Sequence, residues 1–301
     1  MPVILSPKLL AAAALVAAAV FILPASAATL AFGPAIVLLE NVNPSNKAEQ
    51  DVFGSSEAVF TIYNKDEGGG WYHLNVVSPP ASDKKQWEIG YETLPDASWC
   101  RLDKPEVEVQ GKSNAKIKLF VKIPDKPEYY NRKFMAYVTC APGKASVPGV
   151  GLQVASRVQL ETLSKPDLDG DKAGSVAIAP AIMQSGAIPG AELDLSFKIR
   201  NNTAGERSYK VLRMDEVESD TKKHERYYGK GCTAVISPSW LKPKELNFKL
   251  KPGESKELVI DQTVPKDAVP KKKYEELVFI QDDAGNVNFT RVRTDITEKQ
   301  Q

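Results

Sequence analysis

The chain is poor in the side chains from which active and metal centres are usually assembled. Its 301 residues include two histidines and three cysteines. His73 and His224 lie far apart, and neither sits in a Gly-x-Ser-x-Gly or comparable nucleophile setting. Carboxylates are numerous but scattered, so no two make an evident acid–base pair. There is no CxxC and no His/Cys grouping of the kind that holds zinc. Charge of one sign is also missing. Lys and Arg total 39 against 38 Asp and Glu, a formal net charge of +1. A chain this balanced has no electrostatic footprint for nucleic acid and neither an acidic tail nor a basic arm. Helical periodicity is absent, and 21 prolines oppose long helices. These gaps point to a non-enzymatic protein that binds no nucleic acid.

Only one long apolar run exists, and it lies at the start. Lys8 gives a short positive region, Leu9 to Leu23 is almost wholly apolar, Pro24 breaks the run, and Ala25-Ser26-Ala27 follows as a small-residue cleavage site. That order reads as a secretory signal peptide over 1–27. The run falls short of the roughly 20 residues that a membrane-spanning helix needs, and no second such run follows. The mature protein is expected to be exported, to the periplasm or the cell surface, with no transmembrane segment. Export permits disulfides. A Cys100–Cys140 bridge would add about 4 kcal/mol in the loop-entropy model; three reduced thiols, Cys232 among them, is the other reading.

The rest of the chain is a repeat. Trp99 and Pro124 are spaced as Trp240 and Pro265 are. A shift of 141 places Ser98 on Ser239, Val107 on Phe248, Val109 on Leu250, Ile117 on Leu258, Leu119 on Ile260 and Ile123 on Val264. Upstream the shift is 137, placing Phe60 on Phe197, Asn64 on Asn201 and Tyr72 on Tyr209. The second copy therefore carries four extra residues between the matched blocks. Within each copy apolar and polar residues alternate with the period of a half-buried strand, as in Ile117–Ile123 and Leu193–Ile199. Further strands are expected at Ala35–Leu39, Ala58–Tyr63, Tyr72–Val77, Phe134–Cys140 and Gly151–Leu160. In the second copy they are expected at Val176–Ile182, Tyr209–Met214, Leu277–Gln281 and Val287–Asp295. Turn chemistry separates them at Gln110–Asn114, Lys251–Glu254 and Asp282–Asn286. About seven short strands per half is the β-sandwich pattern. The fold class is all-β, two tandem immunoglobulin-like β-sandwiches after a cleaved signal peptide. The first spans 30–162 and the second 175–298. The polar segment 163–174, LSKPDLDGDKAG, is the linker.

Each copy thus runs Ser-Trp, strand, a Lys-Pro-Gly-Glu-Ser-like turn, strand, then proline. This resembles the PapD-like and major-sperm-protein-like immunoglobulin domains of exported bacterial envelope proteins. Val150–Leu160 is similar to the long final strand with which periplasmic pilus chaperones complete a pilin subunit. The Asn43–Lys47 and Lys104–Pro127 segments resemble WxL-interacting surface proteins. The resemblance implies a fold and a protein-binding role. It supplies no site signature, because Ala35–Glu40 lacks the basic residue that chaperones carry on their first strand.

Three segments are candidate sites. Asp167, Asp169 and Asp171 alternate around Gly170 and could turn carboxylates toward Ca²⁺; without a glutamate at the twelfth loop position, they equally read as a solvated linker. Arg226, Tyr227 and Tyr228 lie where the second copy is longer. Arg and Tyr in a sandwich-end loop are the residues of contact hot spots, unless the loop is simply exposed. Leu152, Val154 and Val158 share one face of Gly151–Leu160, which either offers an edge for strand addition or packs into its own sandwich. The function expected is a structural or binding module of the cell envelope, engaging other envelope proteins or a cell-wall polymer through loops and strand edges; a pilus-type assembly chaperone is the alternative.

Overall fold

Period-two alternation sends every second side chain of these strands inward, and the sheets follow from that sorting. In the computed structural model, which describes residues 30–45, 50–51, 59–79, 89–143, 153–168, 174–236 and 238–298, the first copy forms eleven strands. They are β1 (Leu30–Gly33), β2 (Ile36–Val42), β3 (Gln50–Asp51), β4 (Val59–Asn64), β5 (Gly70–Val77), β6 (Glu92–Thr93), β7 (Cys100–Leu102), β8 (Glu106–Val109), β9 (Ser113–Val121), β10 (Lys133–Pro142) and β11 (Val154–Thr162). The second copy forms β12 (Val176–Ala179), β13 (Ile182–Ala187), β14 (Glu192–Asn201), β15 (Arg207–Arg213), β16 (Cys232–Ala234), β17 (Leu241–Pro243), β18 (Asn247–Leu250), β19 (Ser255–Thr263), β20 (Lys273–Asp282) and β21 (Val287–Ile296). The signal peptide lies outside the described residues.

The sheets come in pairs. In the first copy one sheet runs β1-β4-β9-β3, with β7 also on β9; the other runs β2-β11-β10-β5-β8, with β6 on β10. In the second copy the orders are β12-β14-β19-β17 and β13-β21-β20-β15-β18, with β16 on β20. Between the first pair lies a core that includes Phe60, Ile62, Leu74, Ile117, Leu119 and Val138. Between the second lies the matching set, including Phe197, Ile199, Tyr209, Leu258, Ile260 and Val278. The chain is two immunoglobulin-like β-sandwiches in tandem.

The repeat holds down to single hydrogen bonds. Asn64 Nδ2 donates to the Gly68 and Val109 carbonyls at 2.8 and 3.0 Å. Asn201 Nδ2 donates to the Gly205 and Leu250 carbonyls at 2.8 and 2.9 Å. Each Oδ1 accepts the N–H two residues on, that of Asp66 or Thr203. A buried asparagine thus closes the turn after the strand and bolts it to a strand of the facing sheet. The Trp99 carbonyl accepts from Lys122 N, and the Trp240 carbonyl from Thr263 N.

The entry strand of each copy departs from expectation. Val176–Ile182 is not one strand: β12 pairs antiparallel with β14, and after Pro180 β13 pairs parallel with β21 in the other sheet. The first copy repeats this around Pro34, with β1 on β4 and β2 on β11. Proline has no N–H for a ladder, so a strand that must change sheets breaks there. Leu168, in the expected polar linker, is buried against Ala177 and Ala179.

Asn64→Ala or Asn201→Ala removes two donors and one acceptor from buried main-chain groups. Each is expected to cost about 2–4 kcal/mol, read by urea unfolding. A loss below about 0.5 kcal/mol, the size of an ordinary surface change, would show that the clamp contributes nothing.

Candidate functional site at the joint between the sandwiches

Alternation also sends a second set of side chains outward, and in four strands these residues are buried all the same. On β10, Phe134, Ala136 and Val138 enter the first core, while Lys133 and Met135 face out. On β20, Val278 and Ile280 enter the second core, while Leu277 and Phe279 face out. The outward residues meet. Tyr91 and Met135 of the first sandwich pack with Met214, Tyr227, Leu277, Phe279 and Phe289 of the second. Tyr91 lies edge-on to Phe289 at 5.8 Å, a preferred aromatic geometry.

Beside this apolar patch lies a cluster of charges. Arg291 on β21 has no exposed surface. Its Nε and Nη2 donate to the two Glu161 oxygens at 2.7 and 2.6 Å, a bidentate fork across the joint. Its Nη1 donates to Glu275 Oε1 at 2.6 Å and to the Tyr227 carbonyl. Arg293, two residues on and therefore on the same face, bridges Glu275 to Glu40 of the first sandwich. Lys133 Nζ crosses in the other direction, donating to the Phe289 carbonyl at 2.6 Å and lying 4.4 Å from the Phe289 ring centre. Three cations therefore face three carboxylates.

The pKa shifts follow from that burial. Desolvation alone would raise Glu161, but the Arg291 guanidinium, its hydrogen bonds and Lys133 outweigh it and hold the carboxyl below its ordinary range. Desolvation opposes the charge on Arg291 too, yet Glu161 and Glu275 lift its pKa well above normal. Tyr91, whose hydroxyl donates to Glu161, is raised well above 10 by burial and by that carboxylate. Lys133 is the exception. Burial, with help from Arg291 and Arg132, brings it down to about 8. Away from the joint, burial raises Glu276 to about 7, although Ser239 and the Trp240 N–H bond it.

Two glycines allow the close approach. Gly90 has φ +90°, and a Cβ there would lie 2.5 Å from the Phe289 ring. At Gly229 a Cβ would meet Arg293 Nη2 at 2.4 Å and Glu40 Oε1 at 3.0 Å. The linker is pinned as well: Asn131 Oδ1 accepts the N–H groups of Lys165 and Ala181 at 2.9 and 3.1 Å.

These contacts relocate several candidates. Tyr227 does not stand in a free recognition loop. The longer segment of the second copy contains a short helical turn, Thr221–His224, and delivers Tyr227 into the joint, where its hydroxyl accepts Ile89 N at 2.6 Å. Tyr228 is half-buried and bonds the Val235 carbonyl, and Arg226 is half-buried beside it. On β11, Val158 is sealed in the first core and Val154 is half-buried, because β2 covers that strand from Arg157 onward. Leu152 lies outside the described residues. So do Asp169 and Asp171; Asp167 is half-buried, and its carbonyl accepts from Asn131. Among the described residues no three His, Cys, Asp or Glu side chains gather as metal ligands. The Cys100–Cys140 bridge is not formed. Both are free, buried thiols, one on β7 and one on β10 of the facing sheet, and burial pushes each to about 12. Packed in the core, they behave as small hydrophobes.

Sequence reasoning missed the joint itself. Its signals were the unbroken Leu277–Ile280 run, the mark of a strand covered on both faces, and Arg291-x-Arg293 on the following strand.

Arg291→Met strips the buried Glu161 of its guanidinium and leaves Glu275 with Arg293 alone, and a loss of about 3–5 kcal/mol is expected in urea unfolding. Lys133 gives a pH test. Its folded pKa, about 8, lies below the ordinary 10.5, so above pH 8 the unfolded chain holds more protons and stability rises with pH up to 10.5. The buried thiols act oppositely above pH 9, so the difference between wild type and Lys133→Met isolates the lysine. Wild type is expected to gain about 3 kcal/mol over the variant between pH 8 and 10.5; a pH-independent difference would refute it.

No family model and no curated protein matches the chain. Solved structures similar to it include a protein of unknown function from Porphyromonas gingivalis, 16% identical over 89% of this chain and 99% of that one, with TM-score 0.32. The E. coli chaperone DraB is 11% identical over 90% and 97%, with TM-score 0.29. A PapD-like domain of human CEP192 is 9% identical over 53% of this chain and all of its own, with TM-score 0.32. At such identities the functional reading rests on this chain's own residues.

Proposed function

We propose that this chain is a non-catalytic, exported binding module of the cell envelope, a two-sandwich carrier whose loops and strand edges meet another envelope protein or a cell-wall polymer. The observation that carries the reading is where the charged chemistry sits. Arg291, Arg293, Lys133, Glu161 and Glu275 are buried and bonded to one another across the joint, which serves to fix two sandwiches in register. Surface features suit recognition. Tyr63 and Trp71, 47% and 37% exposed, flank the turn between β4 and β5, and aromatics of this kind anchor protein interfaces. A recess of about 400 Å³ on the second sandwich is lined by Thr233, Lys271, Lys272, Lys273 and Asp295; Lys273 and Lys271 pair there with Asp295 and Glu298, so the recess is polar and of mixed charge.

One observation favours the chaperone reading. At its start β11 runs past its cover: Val154 pairs with Cys140 of β10, whereas pairing with β2 begins at Arg157. Ser156 Oγ still meets the Pro34 carbonyl at 2.6 Å, so an added strand would have to engage the chain before Ala155.

Purification of the tagged chain from its native envelope, after cross-linking and with mass spectrometry, tests both readings. A carrier is expected to remain with the wall or a surface assembly, and Tyr63→Ala/Trp71→Ala to lower recovery of its partner about tenfold or more. A chaperone would instead come away with one aggregation-prone subunit held soluble. Recovery of neither partner nor polymer would sink the binding role.

A further inference from the structure

Sheet edges expose unpaired main-chain groups, and proteins blunt them with charge, proline, bulges or short strands. Most edges of this chain are blunted. β8 carries Glu106 and Glu108, β17 ends at Pro243, and β18 has four residues including Lys249. β1 and β12 have four residues each and stop before Pro34 and Pro180. β2 includes Glu40, a register shift against β11 and Asn41 at φ +55°.

β13 is flanked by prolines but carries no charge, no bulge and no proline within it. From Ile182 to Ile188 the sequence is Ile-Met-Gln-Ser-Gly-Ala-Ile, without charge, between Pro180 and Pro189. It pairs with β21 in unbroken parallel register. The carbonyls of Ala181 and Ala187 accept Arg291 N and Thr297 N, so odd-numbered main-chain groups face β21 and even-numbered ones point away from the sheet. The outward groups are those of Gln184 and Gly186, with the Ile182 carbonyl and the Ile188 N–H. Gln184 and Gly186 are exposed, and Ile188 is 37% exposed.

The same seven residues are close to symmetric about Ser185. In an antiparallel pair of two copies, Gln184 lies opposite Gly186 of the second copy and Ile182 opposite its Ile188. All four are even-numbered, so these are the hydrogen-bonded pairs of the antiparallel ladder. No charge meets a like charge, and the exposed Ile188 is covered by an isoleucine. The small Gly186 leaves room for Gln184, whose Nε2 already donates to Asp295 at 2.9 Å.

We propose that the β13 edge is a self-association site, at which two copies of this chain join by antiparallel pairing of Ile182–Ile188 about a two-fold axis at Ser185. The proposal is independent of the partner-binding reading above. A single strand pair buries less than the about 1,200 Å² of a standard interface, so the dimer is a weak one, dissociating in the micromolar range.

Sedimentation of the mature full chain over about 1–200 µM reads the association. The weight-average mass is expected to rise with concentration, and hydrogen exchange at Gln184, Gly186 and Ile188 to slow in step. Gly186→Lys places a cation on the edge, where a Cβ meets nothing within 4 Å; it is expected to raise the dimer Kd at least about tenfold with the unfolding midpoint unchanged. Gly186→Ala, which adds only a methyl, is expected to keep the dimer. A chain monomeric throughout the range overturns the proposal, as does a dimer that Gly186→Lys leaves intact or one formed without protection at Gln184. Protection of this edge only upon addition of another envelope protein would assign it to that partner and likewise overturn self-pairing.

Discussion

A guanidinium without solvent has to be held by fixed acceptors, and Arg291 finds them on both sides of the joint: Glu161 from the first sandwich, Glu275 and the Tyr227 carbonyl from the second. The rest of the joint is arranged around that need. Glu161 and Glu275 could not be buried without the cation, Arg293 neutralises the second Glu275 oxygen, and Glu40 completes the balance. Buried ion pairs add less stability than apolar groups of similar volume, because desolvation offsets much of their attraction. What they add is direction. A bidentate fork works at one separation and one angle, whereas the neighbouring patch of Tyr91, Phe279 and Phe289 would tolerate sliding. The apolar residues hold the sandwiches together, and the charges set how they sit.

That constraint reaches well beyond the charged residues. Gly90 and Gly229 must lack side chains because Phe289 and Arg293 occupy the space. The insertion in the second copy must fold back, since its Tyr227 carbonyl is one of the acceptors. Asn131 must hold the linker so that Ala181 and β13 begin in register with β21. Lys133 stays buried although its charge is disfavoured there, because Phe289 offers it both a carbonyl and a ring face.

The sandwiches were legible in the sequence because each core uses one residue in two along a strand, a period visible over nine residues as in Ser113–Val121. The duplication was legible because cores constrain volume at equivalent positions: Phe60 with Phe197, Ile117 with Leu258. The equivalence of Asn64 and Asn201 showed in the alignment, although their clamp did not. The joint was hidden for a different reason. It draws a few residues each from β2, β10, β11, β20, β21 and the loops that carry Tyr91 and Tyr227, and outward-facing charges such as Glu161 and Arg291 alternate with core residues as solvated ones do. Nothing in period two separates a charge facing water from one facing a second domain. Tyr227 misled for the same reason, since its loop is polar around it. The strand switch at Pro180 was missed because Val176–Ile182 is apolar throughout, which fits one buried strand as well as two halves in different sheets.

Duplication also produced two equivalent entry edges, β2 and β13, and the joint treats them differently. β2 lies beside it, so Glu40 is committed to Arg293, and the register shift near Asn41 bends the strand at that point. An edge bent and charged in this way cannot extend its sheet. β13 flanks β21 on the side away from β20, and only its first residues are taken up, through Asn131 and Ser164. Among the described residues no further strand pairs with its outward side. The asymmetry between two copies of one fold thus follows from the Arg291–Arg293 pair: the sandwich that lends Glu161 and Glu40 to it commits its entry edge to the joint, and the one that carries the cations does not.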